Sequence, residues 1–296
     1  MQAFIAETQA YGTVDPSPAV QRAHYARMSR ACNPPRPAGL QVHDLQLAGV
    51  SIRSYRPERK PPEAGWPVMI YLHGGGWVVG GLDSHEFLTA PLALELGALV
   101  IAVDYRLAPE HPYPAALEDC LTVWHGLQIQ AGHFRLDPAR IVVAGDSAGG
   151  NLAAALCLAL HDQNAPLPCG QALIYPVLTS EALPSTARHA NAPLLTRDEL
   201  SYYLDAYLPN RDERQTPLAM PLSASDLSGL PPAFVAVAEF DPLHDHGVRY
   251  HERLERAGIS SMLYESAGMV HGGLRAQGQE GTALRHAIVE ALRRLL

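Results

Sequence analysis

Ile141-Val-Val-Ala-Gly145-Asp-Ser147-Ala-Gly149-Gly-Asn151, continuing into Leu152-Ala-Ala-Ala-Leu-Cys-Leu-Ala-Leu160, decides how the chain is read. A short β-branched run leads in and a long Ala/Leu run leads out, so the order is strand, sharp turn, helix. Gly-x-Ser-x-Gly is meaningful only in that setting. Gly145 and Gly149 carry no Cβ, so strand and helix can pass closely around the turn. Ser147 is left at the tip, with the free N–H groups and positive end of the following helix aimed at it. A serine held this way is a candidate nucleophile.

Around this stretch the chain alternates short apolar runs with longer helical ones. Strands are expected at Val68–Leu72, Leu99–Val103, Ile141–Ala144, Ala172–Tyr175, Phe234–Ala238 and Ser261–Tyr264. Helices are expected at Phe87–Leu96, Ala115–Ile129, His244–Ala257 and Thr282–Leu295. Continuous apolar strands between helices indicate a mainly parallel sheet covered on both faces. Ahead of it, Val42 to Tyr55 reads as an antiparallel hairpin turning at Ala48-Gly49, followed by a Pro-rich loop from Arg56 to Pro67. Residues 1–30 read as helix in two pieces, broken at Asp15-Pro16-Ser17-Pro18 and stopped at Asn33-Pro34-Pro35-Arg36-Pro37. Between Pro176 and Leu230 the alternation fails: the segment has one clear helix, Arg197–Leu208, and no strand. It is too long for a simple connection and reads as an insertion over one end of the sheet.

The chain of 296 residues is 47% hydrophobic and 18% charged, with a formal net charge of -8. That is ample material for a core, and it argues against nucleic acid and anionic membranes as partners. The longest apolar run, 152–160, is far short of the roughly 20 residues a membrane span needs. The first residues, MQAFIAETQAYG, have neither the basic start nor the apolar core of a secretory signal. The four cysteines, at 32, 120, 157 and 169, lack CxxC spacing; Cys120 and Cys157 read as buried thiols, and a cytoplasmic location is expected.

A serine hydroxyl needs a base to take its proton, and the base needs a carboxylate to orient it. On a parallel sheet these groups belong in loops at the carboxyl ends of strands, in the order serine, acid, histidine. After the strand ending at Ala238 come Glu239 and Asp241. Asp241 is preferred as the acid and Glu239 is the alternative; Asp241 could also simply cap the next helix. After the strand ending near Tyr264 comes a glycine-flanked loop with His271, the candidate base. His244 and His246 stand too close in sequence to share a helix face and, with His251, read as solvated or capping residues rather than metal ligands; His111 reads as structural. After Val68–Leu72 comes His73-Gly74-Gly75-Gly76-Trp77. Three glycines there can turn N–H groups into a cleft as an oxyanion hole, with the N–H of Ala148 adding to it.

Taken together, His73-Gly-Gly-Gly-Trp77, Asp104-Tyr-Arg-Leu-Ala-Pro-Glu-His-Pro112, Gly145-Asp-Ser-Ala-Gly-Gly-Asn151, Asp241-Pro-Leu243 and His271-Gly272 resemble the hormone-sensitive-lipase-like family of α/β-hydrolases, the bacterial family IV esterases. The resemblance runs from about residue 66 to 275. It implies an α/β-hydrolase fold, a mostly parallel sheet with helices on both faces and a helical cap. The core would be 41–176 and 231–296, and the cap 1–40 and 177–230. It implies a Ser147–Asp241–His271 triad and an oxyanion hole from Gly75, Gly76 and Ala148. It also implies hydrolysis of short- to medium-chain carboxylic esters with no cofactor and no metal. Many members are homodimers, so a homodimer is an expectation here. Trp77, Tyr202 and Tyr203 are candidates to line the substrate pocket. The Asp104–Pro112 segment receives no catalytic role. One departure stands out: the family usually has an aromatic residue two places after the histidine, where this chain has Gly273. A looser imidazole and a wider pocket wall are expected there. A related acyl hydrolase (amidase, lactonase or aryl formamidase) and a non-catalytic small-molecule receptor are the rival functions.

Overall fold

The computed structural model describes residues 1–12 and 17–296. The strands are β1 Leu40–Leu47, β2 Val50–Pro57, β3 Trp66–Leu72, β4 Leu99–Asp104, β5 Leu136–Asp146, β6 Gly170–Ile174, β7 Ala233–Phe240 and β8 Ser261–Val270. The helices are α1 Gln2–Gln9, α2 Pro18–Cys32, α3 Glu86–Leu96, α4 Ala115–Ile129, α5 Ala131–Phe134, α6 Ala148–Asp162, α7 Pro184–Arg188, α8 Arg197–Tyr207, α9 His244–Arg256 and α10 Gln279–Leu295. The strands form a single sheet in the order β1-β2-β4-β3-β5-β6-β7-β8. The β1/β2 and β2/β4 pairs are antiparallel, and every pair from β4 across to β8 is parallel. This is the expected α/β-hydrolase architecture.

Side-chain alternation along the strands feeds two separate cores. From β3, Val68, Ile70 and Leu72 enter one, with Trp124 of α4, Leu156 of α6 and Leu254 of α9. Met69 and Tyr71 enter the other, with Leu92 of α3 and Ile288 of α10. Because both faces are covered, β3 and β6 are buried along their whole length and read as unbroken apolar runs.

Several elements differ from expectation. β8 continues past Tyr264 to Val270, so Glu265 to Val270 are strand rather than loop. Val237↔Glu265 and Ala238↔Ser266 continue the ladder with β7, and a register shift then brings Phe240 opposite Val270. Ser-Ala-Gly gives no strand signal by itself; pairing with a buried neighbour supplies it. The Pro-rich loop is shorter than expected, since Arg56-Pro57 end β2 and Trp66-Pro67 begin β3. β5 starts earlier, at Leu136. Short α5 and α7 carry too few turns for a helical period to be visible.

Two segments stand outside the βα alternation. The 176–230 stretch contains α7, α8 and two 3-10 turns, and among the described residues no strand. α8 starts at a capping box, in which Thr196 and Glu199 exchange side-chain and backbone bonds. The N-terminal segment contributes α1 and α2. Of the expected break at Asp15-Pro16-Ser17-Pro18, Asp15 and Pro16 lie outside the described residues; Pro18 is the first residue of α2. α2 is tied down by Arg22, which donates to the carbonyls of Val78 and Ala108 at 2.8 Å each and pairs with Glu110.

Candidate active site

β5 runs directly into α6 through Ser147, whose φ of 55° and ψ of -119° are unusual for a residue with a side chain. The turn is held from both sides. The Ser147 N–H donates to the Ile174 carbonyl at 2.8 Å, and its own carbonyl accepts from Asn151 N at 3.0 Å. The two flanking glycines are there for closeness. A Cβ at Gly145 would overlap the backbone of Gly149, and one at Gly149 would overlap the backbone of Leu72.

β7 and β8 end beside this turn. His271, the first residue after β8, places Nε2 2.9 Å from Ser147 Oγ and Nδ1 2.7 Å from Asp241 Oδ2. Asp241 is completely buried, and its other oxygen accepts the Leu243 N–H at 2.8 Å. That bond closes a turn just ahead of α9, whose N-cap is Leu243 and carries no side-chain cap, so Asp241 does not serve as the helix cap. Glu239 points elsewhere: it is exposed and accepts the Gly268 N–H at 2.7 Å. The Tyr175 ring packs against the imidazole at 4.8 Å between centroids. Tyr175 gave no signal in the sequence beyond ending a strand.

The glycine loop lies opposite. Gly75 and Gly76 have φ of 130° and 58°, and their N–H groups meet no protein acceptor among the described residues. Ala148, the first residue of α6, is likewise without an acceptor for its N–H. The loop is anchored by Asp146, which accepts from Gly74 N at 2.9 Å and from the Tyr71 hydroxyl at 2.7 Å, with His85 Nε2 at 3.2 Å. Burial alone would push this carboxyl up. The His85 charge and the hydrogen bonds from His85, Tyr71 and Gly74 outweigh burial and hold it below the ordinary carboxylate range. The Asp104–Pro112 segment braces the same loop. Tyr105 donates its hydroxyl to the His73 carbonyl at 2.6 Å, and Ala108 N donates to the Trp77 carbonyl at 2.8 Å.

A cavity of about 840 Å³ opens over Ser147 and His271, bordered by Gly75, Gly76 and residues of α1, α2 and α8. Tyr202 and Tyr203 both line it. Tyr203 lies across the glycine loop so closely that a Cβ at Gly76 would overlap its ring. Trp77 borders the cavity too, but its indole is fully buried and stacks on Tyr207 at 4.2 Å. It joins α8 to the sheet more than it faces a ligand. The wall beside His271 is not widened by Gly273: a Cβ there would overlap the Met269 sulfur, and Met1 approaches as well. Methionine's flexible chain fills the place the family's aromatic would take.

His246 is not solvated as expected. It is 1% exposed, its Nδ1 accepts the Leu178 N–H at 3.1 Å, and burial pushes its imidazole down to about 4. His244 and His251 turn instead to Asp245 and Ser261. Among the described residues no cluster of three or more His, Cys, Asp or Glu could hold a metal ion.

The chain matches a family described as alpha/beta hydrolase fold over residues 69–275. It is similar to carboxylesterase NlhH of Mycobacterium tuberculosis, 44% identical over 210 residues, which are 70% of this chain and 66% of that protein, just under two thirds of the relative's length. It is similar to an ethyl acetate hydrolase of Pseudomonas putida, 39% identical over 267 residues, covering 86% of this chain and 83% of the relative. Among solved structures, the Pyrobaculum calidifontis esterase superposes with a TM-score of 0.91 at 30% identity, covering 100% of this chain and 98% of that one. By family match, sequence and fold together, the chain belongs to the α/β-hydrolases, in their hormone-sensitive-lipase-like branch.

Proposed function

We propose that this chain is a carboxylesterase that hydrolyses short- to medium-chain carboxylic esters through Ser147, His271 and Asp241. The observation that carries the proposal is the continuous relay from Asp241 through His271 to Ser147, at 2.7 and 2.9 Å, on the floor of an 840 Å³ cavity. His271 Nε2 takes the Ser147 proton as Oγ attacks the ester carbonyl. Asp241 accepts the Nδ1–H and stabilises the imidazolium. The tetrahedral oxyanion is held by the N–H groups of Gly75, Gly76 and Ala148, which have no competing acceptor among the described residues. His271 then gives its proton to the leaving alkoxide, and the acyl group remains on Ser147. Water, deprotonated by His271, releases the acid and restores the serine. A relative named for ethyl acetate supports short esters, and the cavity volume leaves room for longer acyl chains.

The test is turnover of p-nitrophenyl esters of increasing chain length, alongside amides and lactones, and mass-resolved labelling by an organophosphate. Ester turnover with phosphonylation at Ser147 is expected. A folded protein that neither turns over any ester nor labels at Ser147 would overturn the proposal.

We also propose that 1–40 and 177–230 form a cap over a core of 41–176 and 231–296. The cavity supports it, since α1, α2 and α8 supply part of its wall over the core residues Ser147 and His271. A homodimer follows from the family resemblance and is checked by light scattering. A reducing, cytoplasmic setting is supported by four unpaired thiols, and cell fractionation decides it.

A further inference from the structure

Arg275 stands four residues after His271, in the 3-10 turn Gly273–Arg275, and lines the same cavity as Ser147. It is 6% exposed. Its Nη1 donates to the Ser84 carbonyl at 2.8 Å and its Nη2 reaches the Tyr25 hydroxyl at 3.4 Å. The guanidinium lies over the Phe87 ring, 4.6 Å from its centre. A guanidinium has five N–H donors and stays charged at every relevant pH, so these contacts leave donors over. Among the described residues no carboxylate forms an ion pair with it. The carboxylates that border the cavity are engaged elsewhere: Asp146 with Gly74, Tyr71 and His85, Asp198 with Arg197, and Glu199 with Thr196. Among the described residues lining the cavity, Arg275 is the one Arg or Lys.

A buried charge without a counter-ion is unfavourable, and burial is normally tolerated only with pairing. Aromatic faces offset part of the cost. What is missing is an anion, and the open side of the site is the cavity itself. We propose that Arg275 binds a carboxylate carried by the substrate, so that the preferred esters are half-esters of dicarboxylic acids or other esters with a carboxylate a few bonds from the scissile carbonyl. The planar fork of one guanidinium matches one carboxylate in bidentate fashion. A single cation also suits a singly charged group better than a phosphate, which carries nearly two charges at neutral pH. Because Arg275 and His271 share one short segment, an ester held by Arg275 has its carbonyl delivered beside the base and serine.

This inference rests on the esterase reading, and the experiment separates the two. Monoethyl esters of dicarboxylic acids from succinate to suberate are compared with the diethyl esters of the same acids, using wild type, Arg275→Lys and Arg275→Gln. The readout is the ratio of kcat/KM for charged over neutral ester at each length, which is insensitive to a general loss of active protein. In wild type the ratio should exceed one by about tenfold to a hundredfold at the best length, the range expected for hydrogen bonds to a charged partner. It should fall to one or below in Arg275→Gln, with Arg275→Lys between. Calorimetric titration of free adipate into wild type and Arg275→Gln gives a second readout that needs no turnover; binding should be lost in the variant. Neutral esters turned over with the same ratio in wild type and Arg275→Gln would overturn the anchor and leave ester hydrolysis standing. Hydrolysis of neither ester would count against the esterase reading, and the titration alone would then decide on Arg275: equal adipate binding, or none, in both proteins sinks it.

Discussion

Asp146 holds Gly74: the carboxylate one residue before Ser147 accepts the Gly74 N–H at 2.9 Å, locking the glycine loop to the turn that carries the serine. Two segments more than seventy residues apart are thereby set at a fixed distance. The proposed oxyanion donors and the proposed nucleophile need that distance constant, because misplacement by about 1 Å can cost about 10²-fold in rate. Asp146→Ala should therefore lower kcat by about that factor while changing KM little. A variant with full kcat would show that the loop keeps its place through Tyr105 and Ala108 alone.

Ser147 sits at φ 55° and ψ -119°, a conformation that costs a residue with a side chain about 1–3 kcal/mol. Ser147→Ala should abolish turnover by several orders of magnitude with the fold intact. Ser147→Gly should be equally inactive, yet more stable than Ser147→Ala by about 1 kcal/mol, because glycine takes this conformation without strain. Urea unfolding of the two variants measures the difference; equal midpoints would mean that the turn stores no strain.

Asp241 and Glu239 are separated by one experiment. Asp241 is buried and bonded to His271, whereas Glu239 is exposed and bonded to the Gly268 backbone. Asp241→Asn should lower kcat by about 10⁴, since the amide cannot fix the imidazole in the required tautomer. Glu239→Gln should retain nearly all activity. The reverse pattern in kcat would assign the acid to Glu239.

The parallel sheet was legible because its strands are buried on both faces and so appear as unbroken apolar runs such as Val68–Leu72. The proposed nucleophile Ser147 and acid Asp241 were legible because each follows such a run, and the proposed base His271 because it stands in a glycine-flanked stretch between the last strand and the last helix. What the sequence hid is what depends on distant partners. Glu265–Val270 became strand through pairing with β7, and His246 became a buried acceptor because the Leu178 N–H reaches it. Tyr175 gained its place against His271 from three-dimensional proximity, and Arg275, though near His271 in sequence, shows its burial against Ser84, Tyr25 and Phe87 only in the fold. A run of residue types carries periodicity, but not which polar atom will find an acceptor across a loop.

Two buried histidines set an expected acid limit. Burial pushes His246 down to about 4, and burial together with the neighbouring His85 does the same for His73. In the unfolded chain both protonate near the ordinary 6.5. Between those values the unfolded state binds more protons than the folded state, so stability rises with pH across this window. The contribution is whole above about 6.5 and drains away as pH falls toward about 4. Melting temperature measured from neutral pH down to that point should fall steadily, and His246→Gln should flatten the slope whatever its effect at neutral pH. An unchanged slope in that variant would remove His246 as a cause.

Gly273 carries the last prediction. The sequence pointed to a wider wall beside His271, but Met269 is fully buried and occupies the space a side chain at 273 would need. Gly273→Phe, which restores the family's usual aromatic, should overpack the site and destabilise the fold by about 1–3 kcal/mol. Met269→Ala alone should cost about 2–5 kcal/mol through the cavity it leaves. The double variant should cost clearly less than the sum, because the ring fills that cavity; groups in direct contact are where additivity fails. Denaturant unfolding of the three variants closes the cycle. Strict additivity would mean that Met269 and position 273 do not share the space, and the wall beside the imidazole would then be as open as the sequence suggested.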